Sequence, residues 1–116
     1  MAGELKIIID VSYSKGGSKI AKTYSNTIDV AGDAYGNDIQ SIPTSNTALT
    51  LPAAIGTTGW VIVKNLDTTN YVSVGLTGSY TVKLLPGQSA AFPAAGAPYA
   101  LANTATCLVE KLIFEL

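Results

Sequence analysis

The chain has no histidine, no arginine and a single cysteine among its 116 residues. Without His, the imidazole general base, the Cys–His and Ser–His–Asp arrangements and the usual zinc ligand sets are all excluded. Without Arg, the bidentate fork that recognises phosphates and guanine edges is missing. The seven lysines are scattered, apart from a loose trio at Lys15, Lys19 and Lys22, and nucleic acid is not an expected partner. One thiol closes no intrachain disulfide, and Cys107 sits in the apolar run ATCLVEKLIF, where it reads as a small buried hydrophobe.

Charge is also scarce. Only 13% of residues are charged, with a net charge of −1, about half the usual fraction for a soluble domain. A lone monomer normally keeps more charge on its surface, so partners are expected to cover part of this one. No apolar run approaches the ~18 residues of a membrane span, and MAGELKIIID does not read as a signal peptide. The expectation is a soluble chain made in a cytoplasm.

What is present is β patterning. The chain is 47% hydrophobic and long enough for one core, so a single domain over 1–116 is expected. Leu5, Ile7, Ile9, Val11 and Tyr13 alternate with polar residues, Ile8 excepted, which predicts a half-buried strand. Gly16-Gly17 turns it into a second strand, giving an N-terminal hairpin over about 4–30. The Gly- and Asp-rich stretch over about 31–46 reads as an irregular excursion. Further strands are expected at Thr47–Leu51, Trp60–Asn65, Tyr71–Gly75, Tyr80–Leu85 and Ser89–Phe92, with Pro86-Gly87 as a type II turn. The final run, Tyr99–Leu116, suits a strand with Leu108, Leu112, Phe114 and Leu116 on one side, although its propensity also permits helix. About eight short strands at regular spacing predict an all-β fold, a small jelly-roll-like β-sandwich.

Candidate sites are few. Asn65, Asp67 and Asn70, in GWVIVKNLDTTNYVSVG, offer oxygen atoms to Ca²⁺ or a sugar. Ca²⁺ takes six to eight oxygens, often several of them carboxylates, and this loop has one. Asn and Asp also close tight turns on their own backbone, which is the simpler reading. Trp60 and Tyr71 flank the loop and are expected to pack as a cross-strand pair within a central hairpin, with stacking on a ligand as the alternative. Asp29, Asp33 and Asp38 lack the spacing of an EF-hand loop and read as loop residues. A Ser–Lys pair stays open, but no motif points to one. No catalytic, cofactor-binding or metal residue is assigned, and an enzyme is not expected.

The second half carries an ordered set of turns: GWVIVKNLD, TNYVSVG, YTVKLLPGQSAAF, YALANTA and VEKLIFEL. Residues 59–116 in this order resemble small virion structural proteins of tailed bacteriophages. The resemblance implies an architectural role, as a capsid decoration (cement) protein that binds the major capsid protein as a dimer or trimer. A neck, tail or baseplate component is the alternative, and a carbohydrate-binding module for host recognition a second one. No catalytic residue is implied.

Overall fold

A computed structural model describes residues 3–51 and 55–116. Two compact units divide the chain, Met1–Ala31 and Gly32–Leu116.

The first unit is the expected hairpin, β1 (Leu5–Lys15) against β2 (Ser18–Ile28), paired antiparallel from Leu5↔Ile28 to Lys15↔Ser18. Gly16 and Gly17 take φ of 59° and 86° at its tip, a conformation that side chains resist. The register puts Leu5, Ile7, Ile9, Val11 and Tyr13 on the same face as Ile20, Tyr24 and Ile28. Lys6, Asp10, Ser12, Thr23 and Ser25 share the other face, where the Thr23 hydroxyl donates to Asp10. The alternation is therefore as expected, but its consequence is not. Every residue from Ile8 to Ser25 is exposed, Ile9 at 38% and Tyr13 at 52%. A two-stranded ribbon has no second layer of its own, so its apolar side finds no core within the hairpin unit.

The second unit is a β-sandwich of eight strands: β3 (Tyr35–Ile42), β4 (Thr47–Ala48), β5 (Thr58–Asn65), β6 (Val72–Leu76), β7 (Ser79–Leu84), β8 (Ser89–Pro93), β9 (Tyr99–Ala102) and β10 (Cys107–Glu115). Two four-stranded antiparallel sheets run β3-β10-β5-β8 and β4-β9-β6-β7. The pairs nest: β6 with β7, β5 with β8, β4 with β9 and β3 with β10. The unit is thus one long hairpin, folded at Thr77-Gly78, whose limbs cross between sheets together. That is the jelly roll.

Four details depart from the sequence reading. The supposed excursion contains β3, because its polar residues find partners along an edge strand. Lys111 bonds Asp38, Gln40 Nε2 donates to the Ala48 carbonyl at 3.0 Å, and the Thr50 N–H donates to Gln40 Oε1 at 2.9 Å. The run 99–116 is two strands, since the chain bends at Asn103–Ala105, where the Asn103 N–H donates to the Tyr71 carbonyl at 3.0 Å. Ten strands result among the described residues, in place of about eight. Finally, the buried side of β10 is Cys107, Val109, Lys111 and Ile113, while Leu108 is 51% exposed on the outer side.

The core lies between the sheets. Ile42, Val61, Val63, Val72, Val74, Ala100, Val109 and Ile113 are fully buried there, with Leu49, Leu84 and Cys107 nearly so. Gly75 sits at a bulge where an added Cβ would collide with the Ser79 carbonyl, so no larger residue fits without moving backbone.

Candidate functional site

β5 and β6 do not form a hairpin. They belong to opposite sheets, and residues 66–71 are one limb of a corner where the rolled hairpin crosses the sandwich. The other limb is 85–88. Asn65 fastens the two. Its N–H donates to the Gln88 carbonyl at 2.9 Å and its carbonyl accepts from Gly87 at 3.0 Å. Its fully buried side chain donates through Nδ2 to the carbonyls of Asn70 (2.9 Å) and Leu84 (3.0 Å), and accepts from Asp67 N–H at 2.9 Å. Asp67 Oδ2 in turn accepts from Thr69 N–H at 2.9 Å and Asn70 N–H at 2.6 Å. Asn65 Oδ1 and Asp67 Oδ2 are thus engaged with the loop's own amides.

The aromatics beside this loop also have structural duties. Trp60 is 9% exposed, so its ring faces do not form a sugar platform, and its neighbour across the ladder is Pro93. Tyr71 is on the opposite side of the corner, with Lys83 Nζ 4.3 Å above its ring. The expected Trp60–Tyr71 cross-strand pair is therefore absent, for the same reason the hairpin is: their strands lie in different sheets.

The other acidic candidates Asp29 and Asp38 have partners of their own. Asp29 accepts from Gly3 N–H at 2.7 Å within the hairpin unit, whereas Asp38 holds Lys111 in the sandwich. Lys111 is a finding that sequence reasoning missed. It occupies an inward position between Val109 and Ile113, buried at its stem, and its ammonium reaches a carboxylate that is itself 65% exposed. At the end of the same strand, Glu115 clips two backbone segments, accepting from Gly56 N–H at 2.7 Å and Ala34 N–H at 3.3 Å.

Backbone N–H groups hold two carboxyls below their ordinary range, those of Asn70 and Thr69 for Asp67, and those of Gly56 and Ala34 for Glu115. A depressed folded-state pKa stabilises at pH above the unfolded carboxylate range, about 4, and that contribution vanishes as pH falls through the folded value. Urea midpoints are therefore expected to be flat from neutral pH to about 5 and to fall below about 4. Asp67→Asn keeps an acceptor oxygen but cannot titrate, and should shallow the acid fall. An unchanged acid limb in that variant would contradict the assignment.

Two surface features could engage a partner. A cleft of about 310 Å³ opens between the edge strands β7 and β8, lined by Leu76, Val82, Phe92 and Ala94 among others. More extensive is the outer face of the β3-β10-β5-β8 sheet. Tyr35 and Ile39 are exposed at 66% and 60%, and Leu108 joins them. Phe114, stacked on Tyr35 at 6.1 Å between centroids, Leu112 and Ile62 are half-buried beside them. The face is largely apolar, with Glu110 opposite Lys64 as its charged pair and Asn37 and Ser41 along its β3 edge. Such a surface suits protein contact better than small-molecule chemistry.

Comparison with family models, with curated proteins and with solved structures found no match to this chain.

Proposed function

We propose that the chain is an architectural virion protein of a tailed phage, a decoration protein that binds the major capsid protein and reinforces the head shell. The observation that carries this reading is the ordered series of turns over residues 59–116, which resembles small phage virion proteins. Two structural features support it. Jelly rolls recur in viral capsid proteins, and the outer sheet face bearing Tyr35, Ile39 and Leu108 offers an apolar contact surface. Modest contacts of this kind sum to firm attachment when one oligomer engages several shell subunits. Such a role needs no cofactor and no catalytic group. The protein would be made in the host cytoplasm and end in the particle.

Quantitative mass spectrometry of purified particles tests the reading. On the order of hundreds of copies per particle is expected for a shell-covering protein, following the icosahedral repeat. A dozen or fewer would place it at the neck, tail or baseplate instead, and absence from particles would remove the virion reading altogether. Co-sedimentation of the purified chain with emptied heads should also be saturable, and lost on Ile39→Glu with Leu108→Glu.

A further inference from the structure

We propose that the apolar face of the β1–β2 hairpin is an interface with the same face of a second copy of the chain. This specifies the self-association contained in the reading above. Ile9, Val11, Tyr13, Ile20 and Tyr24 are 38%, 42%, 52%, 52% and 52% exposed, on one side of a ribbon whose other side is polar apart from Ile8 and Ala21. Five such side chains, each about half exposed, present roughly 500 Å² of surface, comparable to the largest apolar patch of a typical monomer, which is often functional. Paired face to face, two copies would bury about 1,000 Å², the lower bound for a specific protein interface.

Three further features favour a second copy as the occupant. A free two-stranded hairpin is marginal in water, and a second ribbon supplies the missing layer. The face carries charge only at Lys15, near the tip, and at Lys22, opposite Val11, whose long apolar stem adds to the patch while its ammonium can reach the rim. It is rich in β-branched and aromatic side chains, which interdigitate well between sheets. Contact between identical patches is isologous and closes at two copies.

Sedimentation velocity and equilibrium on the full chain provide the test. Wild type should form a concentration-dependent dimer. Ile9→Lys with Tyr24→Lys should raise its Kd by about a hundredfold or more, since like charges would meet across the interface. The conservative pair Ile9→Val with Tyr24→Phe should stay dimeric. Unchanged near-ultraviolet signal from Trp60 would show that the sandwich remains folded. Because the double Lys variant could lose the hairpin itself, Val11→Cys in a Cys107→Ser background gives an independent readout: mild oxidation should yield a reducible covalent dimer. Wild type that stays monomeric, a trimer, or Lys variants that associate as before would each overturn the proposal, as would association seen only on lipid vesicles or on heads. A monomer that still co-sediments with heads overturns this interface and spares the virion reading. A hairpin-dependent dimer that ignores heads does the reverse.

Discussion

Asn65→Asp is expected to destabilise the sandwich by about 4 kcal/mol or more at neutral pH, although it changes one atom's identity. Asn65 Nδ2 gives its two hydrogens to the carbonyls of Asn70 and Leu84, and the residue is fully buried. A carboxylate there turns two hydrogen bonds into oxygen–oxygen repulsions and adds a buried negative charge. For a unit of this size, 4 kcal/mol corresponds to a fall in Tm of more than about 15 °C. The pH dependence has a definite sign. Burial and the facing carbonyls raise the new carboxyl's folded-state pKa above its unfolded value, so the penalty is complete above the folded pKa and fades as pH falls below it. Protonation also restores one donor. Asn65→Ala, by contrast, should cost about 2–4 kcal/mol and lack this recovery. Urea melts of the two variants at neutral and mildly acidic pH separate these outcomes. A loss under about 1 kcal/mol for both would mean the loop is a surface feature, as the ligand-binding alternative requires.

That prediction depends on what the sequence conveyed about this loop and what it did not. Asn and Asp between two apolar runs announced a chain reversal, and Asn65 and Asp67 do close it on backbone amides. Pro86-Gly87 was equally legible, and Gly87 takes φ of 81°. Turn chemistry is local, so residue types suffice to find it. Strand partners are not local. Alternation tells which side chains share a face, but nothing in GWVIVKNLDTTNYVSVG distinguishes a hairpin from a corner between sheets. The nesting of β5 with β8 around β6 and β7 arises from the whole rolled hairpin. β3 was hidden for a related reason. Gly36, Asn37 and Asp38 have poor strand propensity, and only the distant Lys111 and the β10 ladder make them a strand. Lys111 itself looked like an outward position, since a charged residue on the buried face is rare until its partner is known. The outer apolar face escaped notice because Leu108, Leu112 and Phe114 read as the core side of β10.

The same ambiguity sets up the largest contrast expected among apolar truncations. Ile113→Ala should cost about 2–5 kcal/mol, and Ile9→Ala about 0.5 kcal/mol or less in the dilute protomer, both followed through Trp60 in urea. In sequence the two isoleucines look alike, each in an apolar-rich run: Ile8 and Asp10 flank Ile9, and Leu112 and Phe114 flank Ile113. In the structure Ile113 is fully buried on β10, a strand held on both sides by β3 and β5. Its neighbours cannot close inward without breaking two ladders, so most of the removed volume stays as a cavity and adds to the lost transfer energy. Ile9 faces solvent at 38% exposure on a ribbon with no covering layer, so truncation creates no cavity and removes little burial. Concentration should expose the difference further. If two hairpins meet through their apolar faces, the cost of Ile9→Ala grows as the chain is concentrated, because stability then includes the association it weakens. The cost of Ile113→Ala should stay constant over the same range. A large, concentration-independent loss for Ile9→Ala would show instead that the hairpin face is core within a single copy.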